Sequence, residues 1–484
     1  MRKTRENHAD HLPPGASARL RGLVLLFSRP VARFLHVEAA SGVVLLAAAG
    51  LAVLWANSPW ATSYVDLLHA PISIGFGDHS LSKTVHYWIN DILMVLFFFV
   101  VGLEVRRELH EGVLSDSRRA AIPVAAALGG MLVPALLYVW VDPNLPVGRD
   151  GWSVPMATDI AFAVGVLALL GNRVSGAMRI LLLSIAIIDD IGAIVVIALF
   201  HTADLALEGL AISGAGVALV LIMQGIGVRN PLLYVVPGVI VWAGIVSTGV
   251  HPTVAGVILG LLTPVKPWFG RETFLAAAEQ ALSDFRAKDR HARAAHEIRP
   301  VLDRINLAQR EVIAPVTRVE MALHPWVAFA VMPLFAFANA GVPLGGVDLA
   351  AHGATEVALG ICLGLVIGKP LGIVVFTWLA VRWTGGGLPQ GVSWPGVVVL
   401  GCLAGIGFTM SLFLGSLAFD DPGILAVAKM AVLVASLIAG VAGLVLGFTR
   451  LPRKYGGGPE PSEECAHMET TTFPSVAEGR VVTT

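Results

Sequence analysis

An all-α polytopic membrane protein is the fold class this chain predicts, and three observations predict it. Of its 484 residues, 56% are hydrophobic and only 14% are charged. With a mean hydropathy of +0.76, that is not a soluble composition. Twelve apolar segments of spanning length or near it follow one another along the chain; one such run could be a buried soluble helix, but a dozen in series read as membrane crossings. Lysine and arginine also alternate between rich and poor connections in step with the segments.

The segments lie at roughly 38–56, 87–105, 119–140, 154–170, 177–200, 205–226, 231–248, 252–265 (a short one), 325–341, 355–380, 394–418 and 423–448. Residues 1–36 carry seven Lys and Arg, and residues 266–323 carry ten. The second and third segments are joined through Arg106, Arg107, Arg118 and Arg119, and the fourth and fifth through Arg173 and Arg179. By contrast, the first connection holds only Lys83, the third only Arg149, and the ninth and eleventh none. Basic connections stay in the cytoplasm, so both termini are expected there. The N-terminus is polar for too long to be a cleaved signal peptide, so the first span is expected to remain.

The chain therefore divides into a basic cytoplasmic segment (1–36), eight spans (37–265), a charged cytoplasmic linker (266–323), four further spans (324–448) and a tail (449–484) whose Gly, Pro, Ser, Thr and Glu predict disorder. Between the first two spans, PISIGFGDHSLSKTV (71–85) alternates apolar and polar residues around Gly-Asp, which predicts a periplasmic β-hairpin. Its strand edges suit pairing with a second copy, so a homodimer is expected. In the linker, ETFLAAAEQALSDFRAKDRHARAAHEI reads as an amphipathic helix serving as a solvated tether. A net charge of -1 argues against a nucleic-acid partner. Cys362, Cys402 and Cys465 lack metal-ligand spacing, and no cofactor is implied.

The chemistry concentrates in IAIIDDIGAI (185–194), where Asp189 and Asp190 are the only charges in the apolar run from Ile180 to Phe200. A single carboxylate at that depth costs on the order of 2.5–3.5 kcal/mol by insertion scales. Asp159 and Lys369 lie equally deep in sequence, whereas Asp91, Glu104, Glu108 and Glu320 sit near span ends and Lys429 is placed to snorkel. An intramembrane set of this kind points to an ion or proton pathway. Neighbouring residues on a helix point about 100° apart, so Asp189 and Asp190 both edge one cavity without facing each other. Two carboxylates with hydroxyl and carbonyl oxygens suit a hard monovalent cation such as Na+ or Li+, and protons compete for the same oxygens. The fourth span, SVPMATDIAFAVG (153–165), offers Thr158 and Asp159 after a proline, and the eleventh contains Gly401, Gly405 and Gly407. Both are expected to break near the midplane. Asp159 would then face helix N-termini and Lys369 helix C-termini.

PMATDIAFAVGVLALLG, SIAIIDDIGAIVVIALF, IGKPLGI, AGIGFTMSLFLGSLAF, WINDILMVLFFFVVGLEVRREL and HPWVAFAVMPLFAFANAGV together resemble the bacterial NhaA-type Na+/H+ antiporters, over about residues 36 to 448. The resemblance implies a bacterial inner-membrane protein of twelve spans, with an inverted-topology repeat relating spans 3–5 to spans 10–12 and broken spans 4 and 11, an arrangement described for this family itself. It assigns cation and proton binding to Asp190 and Asp189, the fourth-span crossing to Thr158 and Asp159, and charge compensation to Asp159 and Lys369. Glu104, Glu108, Glu320, His251 and His324 fall on positions tied to pH sensing. Met321, where the family often carries histidine, and the long linker are departures that bear on the pH set point.

The reading is an electrogenic secondary antiporter that exports Na+ or Li+ for external protons, two per sodium, the second carried by Asp189 or Lys369. An intramembrane aspartyl protease is the alternative from another class. It needs aspartates facing each other across two helices, and Gly-x-Gly-Asp is absent from the spans. An ion channel would need a repeated filter loop, which the chain lacks.

Overall fold

The structure, a computed structural model, describes residues 38–76, 79–141, 149–200, 206–267, 313–343, 353–385 and 387–453, with isolated positions at 275–276, 279–280, 283 and 345. The basic N-terminal segment, the tail beyond 453 and nearly all of 268–312, including the expected amphipathic helix, lie outside the described residues.

Apolar segments become helices because a backbone in hydrocarbon has to satisfy its own hydrogen bonds. In chain order these are α1 (Glu38–Ala56), α2 (Ala61–His69), α3 (Val85–Glu111), α4 (Ser117–Val141), α5 (Ile160–Leu169), α6 (Gly176–Phe200), α7 (Leu207–Ile226), α8 (Pro231–Ser247) and α9 (Thr253–Leu262). Then follow α10 (Pro315–Ala340), α11 (Ala354–Thr384), α12 (Trp394–Ala404), α13 (Phe408–Ala418) and α14 (Pro422–Arg450). Among the described residues, eight helices are long and apolar enough to cross a membrane, or ten if each of two bent pairs counts as one crossing. The pairs are α1–α2, bent by 115°, and α12–α13, bent by 46°; α8 and α9 are shorter apolar helices. The result is a mostly helical, multi-pass membrane fold. Between α2 and α3, strands β1 (Pro71–Phe76) and β2 (His79–Thr84) pair antiparallel, from Pro71 opposite Thr84 to Phe76 opposite His79.

Two features of this bundle position the site. The first is close helix crossing through glycine. A Cβ on Gly372 of α11 would overlap the carbonyl of Gly129 on α4, and one on Gly256 of α9 would overlap the carbonyl of Val95 on α3. Small residues let helix backbones touch where no hydrophobic force drives them together. The second is interruption. A 3₁₀ stretch, Arg149–Met156, leads into residues 157–159, which leave helical geometry before α5 starts. Residues 405–407 do the same between α12 and α13. Every residue from Phe408 to Gly415 is buried, so α13 is enclosed on all sides. Proline and glycine explain where the breaks fall: Pro155 lacks a donor, and Gly405 and Gly407 propagate a helix poorly.

Replacing Gly372 by valine is therefore expected to push α11 off α4 at a cost of about 1–3 kcal/mol or more. Gly50→Ala, where a Cβ meets no atom within 4 Å, should be neutral. Thermal unfolding of the detergent-solubilised protein checks both; equal melting temperatures would mean that the α4–α11 crossing yields.

Candidate functional site

The two interruptions meet each other. The Asp159 N–H donates to the Ile406 carbonyl at 2.7 Å, and Thr158 Oγ1 lies 2.9 Å from the Ala404 carbonyl oxygen. Ser411 Oγ donates to the Val154 carbonyl at 2.7 Å. Backbone groups that each broken helix leaves over are thus satisfied by the other, as burial in hydrocarbon demands.

Asp159 serves both helix starts. Its Oδ1 accepts from the Phe162 N–H of α5 at 3.0 Å, in N-cap geometry. Its Oδ2 accepts from the Thr409 N–H of α13 at 3.1 Å and from Thr409 Oγ1 at 2.5 Å. An anion at two helix N-termini is favourable on both counts, capping and dipole. At the opposite kind of terminus, Lys369 Nζ donates to the carbonyl of Met156, the last residue of the 3₁₀ stretch. Lys369 follows a π-helical turn, Gly364–Gly368, which fits the missing N–H of Pro370.

Asp189 and Asp190 reach this crossing from α6, and both are fully buried. Their surroundings differ. Asp189 Oδ2 lies 3.0 Å from Lys369 Nζ and accepts from Thr158 Oγ1 at 2.7 Å. The Thr158 hydroxyl has one hydrogen, so it serves either Asp189 or the Ala404 carbonyl at a given moment. Neither oxygen of Asp190 has a hydrogen-bond partner among the described residues, nor does Asp189 Oδ1. Asp190 lies within electrostatic reach of Asp159, Asp189, Lys369 and Glu104. The five residues taken from the sequence for cation, proton and charge compensation, Thr158, Asp159, Asp189, Asp190 and Lys369, are therefore brought together.

The residues taken for pH sensing are not one group. Glu320 of α10 pairs with Arg107 of α3 at 2.7 Å, and Glu104 lies within reach of Glu320, Arg107 and Glu108. Glu108 instead accepts from the Val113 N–H at 2.7 Å. His251 is elsewhere: its Nε2 lies 3.9 Å from Asp91 and its Nδ1 lies 2.8 Å from Thr253 Oγ1. Asp91 and Glu104 are about 20 Å apart along α3 at 1.5 Å per residue. His324 is exposed on α10. Lys429 corrects its sequence reading: its ammonium donates to Asn339 Oδ1 at 3.4 Å rather than snorkelling to an interface.

Comparison with known proteins bears on this arrangement. The family described as Na+/H+ antiporter 1 matches residues 32–446. The chain belongs to that family. It is 55% identical to "Na(+)/H(+) antiporter NhaA 2" of Sorangium cellulosum, over 90% of this chain and 93% of that protein. It is 53% identical to "Na(+)/H(+) antiporter NhaA" of Cupriavidus necator, over 90% of this chain and 92% of that protein. Among solved structures it is similar to the sodium proton antiporter MjNhaP1 from Methanocaldococcus jannaschii, with a TM-score of 0.41, 14% identity, and coverage of 90% of this chain and 98% of that one.

Within this antiporter family member, sequence reasoning missed Thr409, the second ligand-holder for Asp159, and the amide pair Asn90–Asn339. Thr409 had a signal: it stands at the second position of a helix that follows a glycine-rich break, where a carboxylate is wanted. The two asparagines were visible as amides in apolar runs, WIND and FANAG, but nothing in either run pointed to the other.

Asp159→Ala is expected to destabilise the protein by about 0.5–2 kcal/mol for each of the two helix starts it caps. Asp190→Asn should leave stability at or above wild type, because Asp190 contributes no hydrogen bond and its charge is costly to bury. Thermal unfolding of both variants checks this; a strongly destabilised Asp190→Asn would reveal a structural partner for Asp190.

Proposed function

We propose that this chain exchanges Na+ or Li+ for protons across the bacterial inner membrane, exporting the cation against protons entering from outside. The observation that carries the reading is Asp190: two buried carboxylate oxygens without a hydrogen-bond partner among the described residues, beside the Asp189–Lys369 pair. An ionised carboxylate in that state is unfavourable until a positive charge neutralises it. A hard cation does so with oxygens from Asp190, Asp189 and Thr158 as ligands, and protons do so on the same oxygens. The two occupants exclude each other, which is the requirement for exchange. Asp159 keeps the two helix starts neutralised while cargo alternates.

Entry of the cation displaces two protons. Either both leave Asp189 and Asp190, or one leaves Asp190 and one leaves Lys369 as its pair with Asp189 opens. Both routes move one net charge per cycle. An aspartyl protease fits less well: Asp189 and Asp190 are consecutive on α6, and Asp159 is committed to two helix N-termini.

The finer architecture belongs to this reading: twelve crossings with α8 and α9 as the shorter ones, spans 3–5 and 10–12 as inverted repeats, and both termini in the cytoplasm. The Lys and Arg distribution then puts Glu104, Glu108, Glu320 and Arg107 at the cytoplasmic end and the Asp91–His251 pair at the extracellular end. Protonation at either cluster biases helix packing, the first through the Arg107–Glu320 link between α3 and α10. The exposed His324 has the weakest claim in this set.

In liposomes holding the purified protein, an imposed Na+ gradient is expected to drive proton movement and build a membrane potential. Clamping that potential with K+ and valinomycin should alter the rate. Asp190→Asn, present at normal level, should show neither effect; exchange at wild-type rate in that variant overturns the assignment. A rate blind to voltage, with no potential built, would leave a one-proton, electroneutral cycle.

The paired strands β1 and β2 offer their edges to a second copy on the extracellular side. Deleting residues 72–82 should shift the solubilised protein from dimer towards monomer on light scattering, with exchange retained. An unchanged mass would remove the strands from the interface.

A further inference from the structure

The extracellular ends of α3, α10 and α14 hold a second polar cluster that the exchange site does not use. Asn339 Nδ2 donates to Asn90 Oδ1 at 2.7 Å, and Asn90 Nδ2 to Asn339 Oδ1 at 3.3 Å. Asn339 Nδ2 also meets the Phe335 carbonyl at 3.0 Å, and Asn90 Nδ2 lies 3.2 Å from His86 Nε2. Both amides are buried and mutually satisfied. Onto this pair points Lys429, about two turns into α14, with Asn339 Oδ1 at 3.4 Å. Among the described residues no carboxylate pairs with Lys429.

The cluster sits beside the outer approach to the exchange site. Asn90 adjoins Asp91, which pairs with His251. The His251 ring packs edge-on against Phe413 at 5.3 Å, and Phe413 lies one turn beyond Thr409, which holds Asp159. The charged and titratable groups at this end are Asp91, Lys83 and Lys429, with His69, His86 and His251, and the exposed Asp66, Asp420 and Asp421. His86 lies within reach of Lys429 and His69. The inner approach presents Glu104, Glu108 and Glu320 alongside Arg106 and Arg107, and Arg107 is already paired with Glu320.

We propose that Lys429 is an electrostatic barrier on the extracellular side, a fixed positive charge seated on the Asn90–Asn339 amide pair that disfavours return of the exported cation. This rests on the antiporter reading above. An ammonium held by an amide instead of a carboxylate has no counter-charge against it, and in a low-dielectric cleft its field when protonated reaches an approaching cation. The amide pair, satisfied within itself, gives Lys429 an acceptor without neutralising it.

Na+-dependent exchange by the full chain, followed with a pH-sensitive dye, separates the two faces: everted vesicles expose the cytoplasmic face, right-side-out vesicles the extracellular one. Lys429→Met should lower the half-saturating external Na+ by roughly 3–10-fold, with the cytoplasmic value and the maximal rate within about twofold of wild type. Lys429→Arg should keep both values. Asn339→Asp, which neutralises Lys429 in place, should shift the external value in the same direction and serves where Lys429→Met fails to fold. An external value unchanged in the folded variants, or one that moves equally on both faces, overturns the barrier and leaves Lys429 as a packing contact. Absence of Na+-dependent proton movement in the wild type would instead overturn the antiporter reading.

Discussion

The rest of the structure depends on one carboxylate serving two helix starts. A helix broken inside a membrane leaves backbone donors and acceptors without partners, each costing several kcal/mol where no water reaches. Asp159 satisfies the donors of α5 and α13 together. The carbonyls that face the other way are met by Lys369 and Thr158. Without these groups the two interruptions would close into continuous helices or fill with water. With them, non-helical backbone is stable at depth, and the polar space it frees is where α6 presents its aspartates.

That arrangement divides labour among four buried charges. Asp159 is held by backbone N–H groups and by Thr409, whereas Lys369 divides its ammonium between the Met156 carbonyl and Asp189. Asp189 is shared: one oxygen faces Lys369 and Thr158, the other has no partner among the described residues. Asp190 is wholly uncommitted. A buried ion pair such as Asp189–Lys369 balances a large desolvation cost against a large attraction, so its net contribution is small and its breaking or re-forming is sensitive to a neighbouring charge. Occupancy of Asp190 supplies such a charge. The proposed coupling between cation and second proton would then have its physical seat in the spacing of two consecutive residues on one helix.

Much of this was legible in the sequence, and the parts that were not share a cause. Asp189 and Asp190 stood out because apolar residues surround them for twenty positions, and the breaks stood out because Pro155, Gly405 and Gly407 weaken helices wherever they occur. Both signals are local. Which helices are neighbours is not local. In a soluble helix the polar face marks the outside, but lipid is as apolar as a packed interior, so the pattern that would say which side of α14 meets α10 is missing. Lys429 therefore read as a snorkelling residue, and Asn90 and Asn339, 249 positions apart, read as unrelated. The pairing of Arg107 with Glu320 and of Asp91 with His251 was hidden for the same reason.

The lack of hydrogen bonds at Asp190 among the described residues also bears on how the proposed site would take two such different cargoes. A carboxylate that accepts from backbone N–H groups, as Asp159 does, is already stabilised as an anion, and any cargo would compete with those bonds. Asp190 has none to lose, so the full electrostatic gain of neutralisation is available to whichever cation arrives. A proton needs a single oxygen; Na+ needs several at once, and in the proposed site Asp189 and its hydrogen-bond partner Thr158 would supply them. In the proposed exchange the difference between the two occupied states would be carried by Asp189, a ligand in one and a partner of Lys369 in the other. Because Thr158 has one hydrogen to share between Asp189 and the Ala404 carbonyl of the broken span, the proposed change at Asp189 would pass directly to the backbone of the crossing. Chemistry at the carboxylates and geometry of the interrupted helices are therefore linked through a single hydroxyl.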